Sequence, residues 1–494
     1  MSGGRRHTGI VRSLGRSLVW CAALLLGATG CFGRGEAGPP AGTASPRPVT
    51  GTQLVIATGV DVTGKNGIRK HLVDAWNDLQ EKEHSPYRAR AVVLPGSADL
   101  QRSQLLAALQ SGGAAYDIVN LDVTWVPEFA AAGLVRELPE SFADDGDVLP
   151  KVAATARWQG KVYAVPYNSD VGLLYYRRDY LVGGAGVDEK KLDALARGRT
   201  TWDDVASLMD AVDAWARTDK SDKSKNYRNA WTSQLSAYEG LTVNGVEAFA
   251  SAGVRLTGDD GTYTASPRML EKGVAEFRRR TASPHTLEDA FASDEAGTLK
   301  DFAEGRTAFL RHWPYAYRTL HAALGDDKLG VAPLPGAAVL GGQNLAVSAS
   351  PAMPEARVRK ARELVAFLTD RTSERCLLDA GFAATRTSSY TDPGVSCDDR
   401  RAPPGAAAPS GTASEGGGDM PRDAARRPRY AQDTLLPALK AAALRPRTPL
   451  YGAFTHAFTT ELAALHTSAT ARAAPDEDIA QRLDAALRAV LPSG

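Results

Sequence analysis

Between residues 53 and 122 the chain alternates short apolar runs with amphipathic segments, and that order admits few folds. QLVIATG (53–59), ARAVVLP (89–95) and DIVNLD (117–122) have the length and β-prone content of buried strands. After the first, Ile68, Leu72, Val73, Trp76 and Leu79 fall on one helical face. After the second, SADLQRSQLLAALQ reads as a helix that Gly112 and Gly113 end. Strand–helix–strand–helix–strand predicts a mostly parallel sheet covered by helices. Ligands of such sheets sit beyond the carboxyl ends of the strands. That rule marks Asp61, in the loop after the first strand, and Asp122, at the end of the third. A carboxylate there can accept two hydroxyls at once, whereas a helix cap or a solvated loop acid is the alternative.

With 494 residues the chain exceeds one simple core and suits two lobes. A net charge of +1 argues against a nucleic-acid partner, which calls for a basic face. At the N-terminus Arg5, Arg6, Arg12 and Arg16 precede LVWCAALLLGATG, a run short for a membrane span. A basic region, a short apolar region and small residues before Cys31 make residues 1–31 a signal peptide. ATG-C resembles a lipobox, which implies a lipid on Cys31, although Ala28 stands where that pattern favours Leu. The alternative is ordinary cleavage nearby with Cys31 unmodified. Residues 32–49, rich in Gly, Pro, Ala and Ser, are expected to be a flexible tether. Of four cysteines, Cys21 leaves with the signal, and Cys376 and Cys397 remain as an even pair in an oxidising compartment. They are expected to form a disulfide, with two free or buried thiols as the alternative. No CxxC or Cys/His set points to a metal, and no cofactor is expected.

Further on, GRTAFLRHWPYAYRTL sets Trp313 and Tyr315 behind a small apolar strand, and Pro314 places Trp313 at the strand's end. Flat rings of this kind cover the apolar face of a sugar. A turn on Pro333, Pro335 and Gly336 follows, then a strand in LAVSAS. The next helix carries Val358, Ala361, Leu364, Val365 and Leu368 on one face.

This order resembles the extracellular solute-binding proteins of sugar ABC importers, the maltose- and trehalose-binding type in particular. The resemblance covers residues 50–393 and 429–490. It implies an α/β, two-lobed periplasmic-binding-protein-like fold, each lobe a mostly parallel sheet flanked by helices, with the ligand cleft between. The lobes are expected at 50–165 with 344–383, and at 166–343 with 384–494. NSDVGLLYYR makes Asn168 a candidate ligand, with Asp170 and Gly172 as departures from the family segment. YEGLTV adds Tyr238 and Glu239, the aromatic cluster adds Trp313 and Tyr315, and the strand after the glycine pair adds Gly342 and Asn344. GFAATRTSSYTDP resembles a loop whose Arg reaches the sugar, here Arg386, with an interlobe salt bridge as the alternative. RPRTPLY also follows the family pattern; Tyr451 and Phe454 there are expected to pack between terminal helices, with an approach to the site as the alternative. Residues 394–428 interrupt the resemblance with a Pro/Gly/Ala/Ser-rich insertion expected to be disordered. The implied partners are a sugar and a permease, for a monomer held to the outer face of the membrane by lipid.

Enzyme chemistry has little support. The chain has no GxSxG elbow and no HExxH zinc motif. Glu239 with Asp122 could serve a secreted glycosidase only if one carboxyl had a raised pKa beside the scissile bond. A receptor feeding a membrane sensor is the other alternative. DDGD (144–147) and GDDG (258–261) lack full EF-hand spacing and are expected to be solvated turns.

Overall fold

The computed structural model describes residues 51–60, 67–113, 115–143, 145–281, 284–400 and 420–493. The expected signal peptide with Cys31, the expected tether, Asp61 and residues 401–419 of the expected insertion lie outside the described residues.

The strands, in chain order, are β1 (Gln53–Thr58), β2 (Arg88–Val93), β3 (Ile118–Asp122), β4 (Arg157–Trp158), β5 (Lys161–Val162), β6 (Val165–Val171), β7 (Leu173–Arg177), β8 (Asn229–Thr232), β9 (Thr307–His312), β10 (Leu329–Pro333) and β11 (Leu340–Val347). Five form a sheet ordered β2-β1-β3-β11-β6, and four a second ordered β10-β7-β9-β8. In the first, β1 pairs in parallel with β2 and β3, as the alternating pattern requires. β11 then runs antiparallel to both β3 and β6. The second sheet corrects the expectation of mostly parallel strands, since only β8 and β9 are parallel there. β7 enters directly from β6 and runs opposite to its neighbours β9 and β10, which are themselves linked through the helix Ala316–Leu324. Two extended crossovers thus join the sheets, one through Gly172 and one through residues 334–339. β6 and residues 340–343 belong to the first sheet, so the chain leaves that sheet later than the boundary at 165 and re-enters earlier than 344.

The helix Glu355–Leu368 buries all five residues of its expected face. In Ile68–Lys82, Leu72, Val73 and Trp76 are buried, but Leu79 is exposed and Gln80 takes the inward position. The helix Trp202–Thr218 starts on a capping box between Thr201 and Asp204. Pro267–Thr281 buries Leu270, Val274, Phe277 and Arg280. With Glu239–Ser251, Tyr451–Thr467 and Asp476–Val490 it contributes Phe249, Phe277, Phe454, Phe458 and Leu483 to one core with the first sheet. The second sheet has its own core around Tyr175, Tyr176, Phe302 and Phe309.

The disorder expected over 394–428 does not extend to its flanks. Cys376, in the helix Arg371–Ala380, is disulfide-bonded to Cys397. Arg375 donates to the carbonyl oxygens of Val395 and Ala425, at 2.7 and 2.8 Å, and Met420 is buried. Polar composition alone did not reveal that this helix supplies both feet with partners.

Candidate functional site

The carboxyl ends of β1 and β3 meet β11 and β6 in a polar network. Arg69, at the start of its helix, donates to Thr58 Oγ1 at 2.9 Å, to Asn168 Oδ1 at 3.2 Å and to Gln343 Oε1 at 2.5 Å. Asn120 Nδ2 donates to the same Gln343 oxygen at 2.8 Å and to Thr58 at 3.1 Å. Asn168 joins this network from the middle of β6. Strand geometry decides the rest, because successive side chains point to opposite faces. Gln343 joins the network, while Asn344 turns away, is fully buried and donates to Thr155 Oγ1 at 3.1 Å. This removes Asn344 from the candidate set. Gly342 has φ +116°, one residue ahead of the point between Gln343 and Asn344 where β11 slips register against β6. A Cβ there would lie 2.3 Å from the Asn168 carbonyl oxygen, so Gly342 permits close strand approach.

Asp170 lies two residues beyond Asn168. Its Oδ1 is sealed from solvent and has no hydrogen-bond partner. Burial pushes this carboxyl up to about 7, against Arg69 and with help from Asp122.

Beside it, Arg445 gathers two of the expected acids. Its Nη2 donates to both oxygens of Asp122, at 2.8 and 3.0 Å, and its Nη1 to Glu239 Oε1 at 2.6 Å. Tyr451 also donates to Glu239 Oε1, at 2.5 Å, and Thr455 to Oε2, at 3.2 Å. Tyr451 is thus part of the cluster rather than only helix packing. Burial pushes Glu239 up to about 7 although Arg445 opposes it. Both Glu239 oxygens already accept protein donors, so this residue holds Arg445 in place and has little left for ligand hydroxyls. At the start of the same helix, Glu239 N donates to Asp99 Oδ2 at 3.2 Å, at the head of the helix Ala98–Gln110.

The aromatic side comes from the end of β9. Trp313 and Tyr315 are half-buried. The Trp313 amide donates to His312 Nδ1 at 2.9 Å, which leaves Nε2 to donate to the Glu295 carbonyl at 3.1 Å. Burial pushes His312 down to about 4, so the ring is neutral near pH 7. Glu295 also accepts from Tyr238 O–H at 2.7 Å and faces Trp313 Nε1 at 3.4 Å. A Cβ on Gly341 would come within 3.0 Å of the Trp313 ring and 3.2 Å of Asp170 Cβ, which puts platform and acid side by side.

Arg386 is elsewhere. It donates to the Thr369 carbonyl at 2.8 Å and to both Asp145 oxygens, at 2.8 and 2.7 Å, with Asp147 at 3.7 Å. The salt-bridge alternative accounts for it, and Asp145 and Asp147, expected in a solvated turn, are its anchors. Sequence reasoning missed Arg69, Gln343 and Arg445 as site residues and took Asp170 only as a departure. Arg445 lies inside RPRTPLY, where an Arg followed by Pro ahead of a long helix was available as a signal.

Two helix-flanked sheets, joined by two extended crossovers and sharing a polar and aromatic site, define a two-lobed solute-binding fold. Residues 78–403 match the model of the bacterial extracellular solute-binding proteins, more than half of the chain. The protein belongs to that family and is extracytoplasmic. A probable ABC transporter-binding protein of Deinococcus radiodurans is 28% identical over 336 residues, 65% of this chain and 73% of the relative. Maltose-bound MalE3 of T. maritima has the same fold, with a TM-score of 0.66 at 22% identity over 89% of this chain and all of that one. The GacH receptor of Streptomyces glaucescens, solved unliganded and with acarbose, gives 0.64 at 18% identity, covering 90% and 99%.

Proposed function

We propose that this protein captures a sugar between its lobes and delivers it, unaltered, to an ABC permease. The sugar is a glucose-containing disaccharide or short oligosaccharide, such as trehalose or maltose. The observation that carries this is the half-buried Trp313 and Tyr315 beside Asp170, whose Oδ1 lacks a partner. A pyranose presents an apolar face to a ring and hydroxyl donors to an acceptor, the two features placed together here. The relative named as a transporter-binding protein and the maltose-bound structural neighbour are consistent with it. Glu239 lacks a free oxygen to serve as a glycosidase acid, which favours binding over turnover. The mature chain is monomeric, needs no cofactor, binds no nucleic acid and is tethered through lipid on Cys31.

The test is calorimetry with trehalose, maltose and longer glucans, followed by product analysis. Saturable binding with unchanged sugar is the expected result. Hydrolysis, or no binding across the panel, would overturn the proposal. Mass spectrometry of the membrane-bound N-terminus tests the anchor: a mature terminus other than a lipidated Cys31 refutes it.

A further inference from the structure

Behind the aromatic platform lies a buried ion pair. Arg311, on β9, donates Nη2 to Glu247 Oε1 at 2.6 Å and Nε to Oε2 at 3.0 Å. Their side chains are 1% and 2% exposed. Such a pair adds little stability over apolar residues of the same size, because desolvation offsets the attraction. Its contacts point to another role. The Arg311 guanidinium carbon stands 3.9 Å from the centroid of Trp313, a cation–π stack on the ring of the platform. Glu247 Oε1 also accepts from Val339 N at 3.3 Å, at the end of the second crossover. At the first crossover, a Cβ on Gly172 would lie 2.2 Å from Glu247 Oε1 and 2.9 Å from Arg311 Nη2. One ion pair therefore touches the platform and both connections between the sheets.

We propose that the Glu247–Arg311 pair is a positioning device that fixes the Trp313 ring for its ligand and sets the angle between the lobes. Its ligand half rests on the sugar-binding function proposed above; its hinge half does not. A planar guanidinium held bidentately has one orientation, so the ring stacked on it has one as well. Since the same carboxylate seats both crossovers, a change in hinge angle and a shift of the ring are coupled through these two residues.

Two variants test this, Arg311→Lys and the double Glu247→Leu/Arg311→Met. The first keeps the charge but loses the planar stack, and the second removes both charges, so neither partner is left buried alone. Each is made in a background with spin labels on cysteines replacing the exposed Lys82 and Ser207, in helices flanking different sheets. Both variants should unfold cooperatively, bind maltose or trehalose ~tenfold more weakly, and show a broadened label distance without sugar. A merely structural pair predicts otherwise: the double variant would regain wild-type affinity and distance distribution, and that outcome overturns the proposal. If Arg311→Lys does not fold, the double variant alone decides. If the wild type binds neither sugar, the sugar proposal fails and the label distance without sugar decides this one. A broadened distribution then upholds the hinge role and an unchanged one refutes it.

Discussion

Arg445 grips Asp122 with one nitrogen shared between both carboxylate oxygens, at 2.8 and 3.0 Å, and so ties the end of β3 to a segment more than three hundred residues later. Its other terminal nitrogen holds Glu239, and only 2% of the side chain is exposed. Removing it leaves two acids without their counter-ion in a low-dielectric site. Arg445→Met is expected to destabilise the fold by ~3–5 kcal/mol, measured by urea unfolding. Adding Glu239→Gln should restore part of that loss, because one of the uncompensated acids is then neutral. A stability equal to wild type in the single variant would show that the network carries no net coupling.

Glu374 is expected to give the protein a pH dependence unrelated to ligand. It is fully buried, and one oxygen accepts from Thr385 N at 2.6 Å while the other has no partner. Burial pushes the carboxyl up to about 8, with the Thr385 amide and Arg386 opposing. The folded state therefore holds a proton that the unfolded chain releases near its ordinary value. The contribution is fully present below about pH 4.5 and is lost as pH rises through 8. Glu374→Gln, which mimics the protonated form, should flatten the fall in melting temperature between pH 5 and 8 relative to wild type. An unchanged slope would assign the dependence to another group.

The disulfide closes a separation of 21 residues. In the chain-entropy model such a loop stabilises by ~3 kcal/mol. Cys376→Ser with Cys397→Ser should therefore lower the urea midpoint, with an equal or steeper slope as the denatured chain expands. Alkylation of both thiols in the unfolded, unreduced wild-type protein would contradict the bond.

Period and order made the first sheet legible from the sequence: continuous apolar runs gave β1 and β3, and the Glu355–Leu368 face was fully recovered. The second sheet was harder, because a strand that passes from one sheet to the next has the same pattern whether its neighbours are parallel or not. Site residues divided in the same way. Asp122 does lie at a strand end, where Arg445 and Thr124 donate to its oxygens. Asn344 was misplaced because β11 begins at Leu340, earlier than the LAVSAS pattern marks, and the alternation puts Gln343 on the site face. Arg386 and Arg445 are both buried arginines in family-like loops. Only tertiary contacts distinguish the one spent on Asp145 from the one that joins Asp122 to Glu239.

On the proposed function Trp313 supplies stacking area, and Trp313→Ala is expected to weaken sugar binding by ~2 kcal/mol or more, measured by calorimetry. Asp170 should make the affinity pH-dependent. Hydroxyls donate more strongly to a carboxylate than to a protonated acid, so the ionised form is the better acceptor. Burial holds this carboxyl up to about 7, so at pH 6 most molecules carry the weaker form and at pH 8 most carry the stronger. Wild-type affinity should therefore rise across that interval, and binding should release protons near neutrality. Asp170→Asn keeps the shape and loses the charge. It should bind more weakly at pH 8, by ~1–3 kcal/mol, and show little change with pH. If the wild type and Asp170→Asn follow the same pH profile, the carboxyl does not face the sugar. If Trp313→Ala also binds normally while remaining folded, the sugar does not lie against this platform, and the site has to be sought elsewhere between the two sheets.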